Sequence, residues 1–182
     1  MKIIVAVTGA SGAIYARRTL EQLIACKQVE QIALIVSSKG EQVAEYEQQH
    51  LPCDEKIVRL DNDDMFASVA SGSAAWDAMI VVPASMGSVA RIAAGISQTL
   101  LERAADVMLK ERRKLIAVVR EAPYSLIHLR NMTSLTEAGA IILPASPSFY
   151  SHPESIEQAV DTVVERIISL AGINAEHYIW QG

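Results

Sequence analysis

Hydroxyl side chains gather after three apolar runs of this chain. Thr8 and Ser11 lie in "VTGASGA" (7–13), Ser37 and Ser38 follow "IALIV" (32–36), and Ser85 and Ser88 lie in "PASMGS" (83–88). Serine at a helix start accepts a backbone N–H, and the same turn can receive a phosphate through its remaining N–H groups and the helix dipole. Small residues such as Gly9 and Ala10 let a backbone approach a ligand closely. Each segment also has a plain structural reading, an N-cap or a glycine-bearing turn, and the first stretch alone leaves both readings open. Three strand ends with the same chemistry point to one shared ligand site. That site lacks the dinucleotide fingerprint, because Ser11 stands at the second glycine position and the second run ends in Val36-Ser37-Ser38 with no acidic residue. No Gly-Lys-Ser/Thr follows the turn, which excludes a P-loop, and no Tyr is followed four residues on by Lys. A flavin mononucleotide site can be built from the donors that remain.

Charged residues form a second set. In "TLLERAADVMLKERRKL" (99–115), Arg103 and Lys110 lie seven apart, on one helix face, and could grip one anion. Asp106 is spaced to pair with both, and surface pairs of this kind are worth only about 0.2–0.5 kcal/mol each. Arg120 and Glu121, in "VVREAP" (118–123), follow a buried-looking strand, where open α/β sheets place their ligands. Tyr150 lies in the loop "ASPSFYSHPE" (145–154), and Arg166 lies on the closing helix with Asp161 and Glu165 as neighbours able to pair with it.

These residues need a scaffold of strand ends, and the chain alternates accordingly. Strands are expected near 2–7, 31–36, 56–60, 78–82, 114–119 and 140–143. Helices are expected near 12–26, 40–49, 86–94, 98–111, 125–138 and 154–171. Runs such as "AMIVV" (78–82) and "KLIAVV" (114–119) are apolar without alternation, as strands covered on both faces are. The pattern predicts an α/β three-layer sandwich, doubly wound around a parallel sheet. Pro83 is expected to stop the fourth strand, and "DNDDMFASVASGS" (61–73) to form a surface loop or lid. With 182 residues and 51% hydrophobic content, a single domain with a sizeable core is expected. No apolar run approaches the roughly 18 residues of a membrane span, and Ile3–Val7 is shorter than a signal peptide's apolar region. Cys26 and Cys53 have neither CxxC spacing nor a nearby His cluster, so a reduced, cytoplasmic setting is expected. A net charge of −5 with 5% aromatics argues against a nucleic-acid surface.

Taken in order, "VTGASGA" (7–13), "ASGS" (70–73), "VVPASMGSVA" (81–90), "LERAADVMLKERRKL" (101–115), "REAPYSLIHLRNM" (120–132) and "ILPASPSFY" (142–150) make the chain resemble the UbiX-type flavin prenyltransferases, relatives of the homo-oligomeric flavin-containing decarboxylases. The resemblance spans essentially all residues. It implies a flavodoxin-like fold, an assembly that is usually a dodecamer, and transfer of a dimethylallyl group from dimethylallyl phosphate to reduced FMN without a metal. The product, prenylated FMN, would serve a UbiD-type decarboxylase. By matching motif, the implied FMN contacts are Gly9, Ala10, Ser11, Ser37, Ser85, Met86, Gly87, Ser88 and Arg120. The donor's phosphate would be held by Tyr150 and Arg166, with charge from Arg103 and Lys110, and Ser11, Glu47, Lys110 and Glu121 would stand close to the reacting centre. Glu47 or Glu121 would move the proton in ring closure. The resemblance also resolves the first turn as a phosphate-receiving one, and it places the family's site between subunits.

Two positions depart from that family pattern, Ala84 where many members have Cys and Val119 where many have Pro. Neither removes a charged or hydroxyl contact. Competing readings are a flavin-dependent cysteine decarboxylase, whose PxMNxxMW motif is absent, and a flavin carrier, which would need no second phosphate site.

Overall fold

The computed structural model describes residues 1–174. Six strands form one parallel sheet: β1 (Lys2–Val7), β2 (Gln31–Val36), β3 (Ile57–Leu60), β4 (Ala78–Ala84), β5 (Lys114–Val119) and β6 (Ile141–Pro144), in the order β3-β2-β1-β4-β5-β6. Six helices connect and cover them: α1 (Ala13–Ala25), α2 (Ser38–Tyr46), α3 (Met86–Ala93), α4 (Leu100–Lys110), α5 (Leu126–Glu137) and α6 (Ile156–Ala171). This is the expected doubly wound three-layer sandwich. The order reverses between β1 and β4, and ligands of such sheets bind beyond the strand C-termini at that reversal.

Strand sequence decides how both faces are filled. Alternate residues of β1 point to opposite faces, so Ile3, Val5 and Val7 join one core with Leu20 and Leu23 of α1 and Val163, Val164 and Ile167 of α6. Ile4 and Ala6 join the other, with Val89 and Ile92 of α3 and Leu100, Ala104 and Met108 of α4. Burial on both faces explains why the strands read as continuous apolar runs.

Two expectations change. Pro83 does not stop β4: the Val82–Pro83 peptide is cis, the β4–β5 register shifts between Val81 and Ala84, and pairing resumes at Ala84 opposite Val119. The segment 61–73 is not wholly a surface loop. Short 3-10 turns at Ser68–Ala70 and Gly72–Ala74 bury Val69 against the α4 face. The Asn62 side chain and carbonyl also accept the N–H groups of Leu101 and Leu100, tying the segment to the start of α4.

Candidate active site

The ends of β1, β2 and β4 meet around Thr8. Its hydroxyl, 1% exposed, donates to Pro83 O and accepts from Ser85 N, both at 2.7 Å, so it fastens β1 to the bend of β4 and is spent on structure. Beside it, the first turn of α2 lies so close to the β1 end that a Cβ on Gly9 would fall 2.6 Å from Lys39 Cβ. Gly9 is therefore required by packing of the chain on itself.

The next turn commits two of its N–H groups within the chain. Gly12 adopts φ 106°, a left-handed conformation that suits glycine, and opens α1. Its N–H and that of Ala13 are taken by the Glu47 carboxylate at 2.8–3.0 Å. Burial alone would raise the Glu47 carboxyl, but hydrogen bonds from Ser11, Gly12 and Ala13 and the nearby positive charge of Arg120 hold it below its usual value. The α1 N-terminus thus carries an anion from its own chain, and a phosphate cannot share those N–H groups with a carboxylate of like charge.

Around this turn, Arg120 at the end of β5 acts electrostatically on both Glu47 and Tyr15. Burial raises the Tyr15 phenol, with Arg120 opposing, and its hydroxyl reaches Ala145 O at 3.4 Å. Glu121 is exposed, and its carboxylate accepts from Ala122 N at 3.1 Å. Ser11, Glu47, Arg120 and Glu121 therefore occupy one end of the sheet.

A cleft of about 290 Å³ opens on the other side of Thr8, lined by Gly9, Ser37, Lys39, Ser85, Ser88 and Arg91 among others. The N-termini of α2 and α3 face it, capped by Ser37 accepting from Gly40 N and Ser85 accepting from Ser88 N. Of the remaining expected contacts, Ala10 is 8% and Met86 7% exposed, which leaves mainly their backbones for a ligand, whereas Gly87 is exposed. The motif departures Ala84 and Val119 turn out to be register partners, each 1% exposed in the same core. They pack in the core beneath the strand ends, and Val119 also lines a cavity with Tyr124 and Met132.

Sequence reasoning passed over Lys39, Arg91 and Glu102. Arg91 lies three residues after Ser88, on the same helix face, and that spacing was visible. Its partner was not. The Glu102 side chain, 3% exposed, accepts from Arg91 Nε and from the N–H groups of Gln98 and Thr99 at 3.0 and 3.1 Å. Burial pushes the Glu102 carboxyl up, but these hydrogen bonds and the Arg91 charge outweigh it and hold it below its usual value.

The remaining expected residues lie elsewhere. Arg103 pairs with Asp106 at 2.7 Å and donates to Ala70 O, which braces α4 on the first 3-10 turn. Lys110 pairs with Glu111 at 2.8 Å. It ends α4 shortly before β5 begins, about 15 Å along the helix from the end that faces the cleft. Within one chain it is not brought to the strand C-termini. Tyr150 lies in a loop laid along α6, where Ser148 N donates to Thr162 Oγ1 at 2.9 Å. Arg166 stands one turn beyond Thr162 on the same face. Asp161 is not its partner, because both Asp161 oxygens bind Arg18 at 2.6–2.8 Å.

The sequence profile of the Flavoprotein family matches residues 1–169. The flavin prenyltransferase UbiX of Methanocaldococcus jannaschii is 43% identical over 180 residues, covering 96% of this chain and 95% of that protein. Among solved structures, AnUbiX (PadA1) in complex with FMN and dimethylallyl pyrophosphate superposes with a TM-score of 0.88 at 39% identity, covering 99% of this chain and 98% of that one. A dodecameric FMN-dependent UbiX-like decarboxylase from Escherichia coli O157:H7 gives a TM-score of 0.91 at 38% identity, with both chains wholly covered.

Proposed function

The chain belongs to the Flavoprotein family, and from that membership we infer a flavin prenyltransferase, which joins the dimethylallyl group of dimethylallyl phosphate to N5 and C6 of reduced FMN. The observation that carries this reading is the agreement of sequence and fold over essentially the whole chain.

The residues present fit FMN. Two serine-capped helix starts, Lys39 and Arg91 offer a phosphate hydrogen bonds and positive charge in one cleft. Arg120 stands beyond the β5 end, where an extended ligand crossing the β1–β4 reversal would pass. Bound and reduced, FMN supplies the nucleophilic ring positions that accept the prenyl group.

The chain's own residues divide the remaining work. Glu47 stays ionised and fully hydrogen-bonded, which makes it an orienting anion for Ser11 and the α1 turn rather than a proton carrier. Proton transfer falls to Glu121, which is exposed at the strand end. Cations beside the donor's phosphate stabilise the charge that develops as it leaves. Tyr150 and Arg166 supply that environment, with Arg103 and Lys110 adding charge.

Lys110 lies at the far end of its own sheet, so its contribution requires a second copy of the chain. A closed homo-oligomer, with a dodecamer as the reading, provides one. Support comes from the apolar side chains that a single chain leaves uncovered: Leu126 is 61%, Ile127 68% and Phe66 100% exposed. The recipient of prenylated FMN is a UbiD-type decarboxylase, and the unpaired Cys26 and Cys53 suit a cytoplasmic reaction. Among the described residues no helix is long and apolar enough to cross a membrane.

The test is anaerobic incubation with reduced FMN and dimethylallyl phosphate, followed by mass spectrometry of the extracted flavin. A gain of one isoprene unit is expected. Unmodified FMN recovered from folded, flavin-loaded protein overturns the reading.

A further inference from the structure

Arg91 occupies an unusual electrostatic position. It belongs to the last turn of α3, where a cation is favourable, but α3 has only eight residues and long side chains on a helix lean toward its N-terminus. Its guanidinium therefore lies over the first turn. Nη2 reaches Ser88 Oγ at 3.3 Å, and Nη1 would be the nearest atom, at 3.5 Å, to a Cβ placed on Gly87. A positive group is held against the positive end of a helix dipole, in a cleft that also contains Lys39 and the start of α2.

What holds it there is Glu102. This carboxylate comes from α4 and is almost completely buried, and its second oxygen is fixed by the backbone of Gln98 and Thr99. One carboxylate balances one guanidinium, and Glu41 in the first turn of α2 is engaged by Arg59, which leaves Lys39 and the α3 dipole without an opposing charge in the cleft. A phosphate monoester has the size, charge and acceptor count for this position, and the guanidinium fork matches two of its oxygens.

We propose that Arg91 is the side chain that grips the 5′-phosphate of FMN, and that Glu102 is a positioning residue that locks the guanidinium over the α3 N-terminus. The proposal rests on the flavin reading above and assigns two residues to it. The 5′-phosphate is the part of FMN that riboflavin lacks, so the pair would distinguish phosphorylated from unphosphorylated flavin and leave ring recognition to other residues.

The experiment is fluorescence titration of the full chain with FMN and, separately, with riboflavin, at several salt concentrations. Arg91→Met is expected to weaken FMN at least tenfold, leave riboflavin unchanged, and flatten the salt dependence of FMN binding. Arg91→Lys should recover part of the loss, because it restores the charge without the fork. Glu102→Gln retains a carbonyl for the backbone N–H groups but loses the charge that orients Arg91, so it should show the same FMN-selective loss at smaller size. Equal weakening of both flavins by Arg91→Met overturns the proposal, since it marks a residue that supports the fold. Unchanged FMN binding also overturns it. If Glu102→Gln does not fold, the Arg91 variants decide alone, as Arg91 is half exposed and its replacement leaves the core intact. Failure of the unaltered protein to bind FMN would instead strike the flavin reading itself.

Discussion

The N-termini of α1 and α3 start from neighbouring strand ends, both follow small residues, and both have the form of a phosphate site. They carry opposite charge. At α1 the Glu47 carboxylate, arriving from the end of α2, takes the N–H groups of Gly12 and Ala13. At α3 the cap is a neutral serine, and the nearest ion is Arg91. The same local motif is thus closed to anions in one place and prepared for them in the other. A helix start becomes an anion site only when the rest of the chain leaves its N–H groups uncommitted and adds no carboxylate of its own.

Substitutions can break this contrast or sharpen it. Glu102→Ala attacks the α3 side and should have the largest effect on stability. It strips the backbone at Gln98 and Thr99 of an acceptor and leaves Arg91 without its partner. Because Arg91 is half exposed, water recovers part of the loss, and chemical denaturation should show a deficit of about 2–3 kcal/mol. A change below about 1 kcal/mol would mean that the pair does not organise the cleft.

Thr8→Val cuts the fastening between the two sides. Valine matches the shape but leaves Ser85 N without its partner and Pro83 O with only the 3.3 Å bond from the residue 8 backbone N–H, for an expected loss of about 2 kcal/mol by the same measurement. Flavin affinity should fall with it, because Ser85 and the α3 start are placed by that bond.

The α1 side responds to Glu47→Gln and to acid. Loss of the charged cap should cost about 1 kcal/mol near neutral pH. The folded Glu47 carboxyl lies below its usual value of 4.5, so its stabilisation is complete above that value and drains away as pH falls through the folded value. Stability measured against pH should therefore show a shallower acid limb in Glu47→Gln. An identical limb would show that the carboxylate does not close the α1 turn in solution.

Asp106→Asn gives the smallest effect. Its pair with Arg103 is a half-exposed contact on one helix, and under about 0.5 kcal/mol is expected in thermal unfolding. The substitution sets the scale of an ordinary surface pair, against which the Arg91–Glu102 contact can be judged.

Much of this was legible in the residues. Apolar runs without alternation gave the parallel sheet, and their spacing gave the crossovers. Ser37 and Ser85 could be read as helix caps because an N-cap bonds to N–H groups two or three residues away. Arg91 could have been found by its spacing from Ser88. The bend of β4 at Pro83 was not readable, because proline's effect on a strand depends on where the neighbouring strands offer partners. Here Thr8 supplies one to the Pro83 carbonyl.

By itself, then, the sequence determined the class of fold, the strand ends at which chemistry collects, and, through its ordered motifs, the family. All of these depend on residues close together in the chain, or on patterns that survive without coordinates. Tertiary structure decided the sign of each helix start. Glu47 meets Gly12 across 35 residues and Glu102 meets Arg91 from a different helix, and no local spacing encodes either meeting. It also placed Lys110 at the far end of its sheet from the strand C-termini, because a helix returning antiparallel to its strands carries its last residues away from them. Electrostatic energy depends on distance in space, and folding sets that distance.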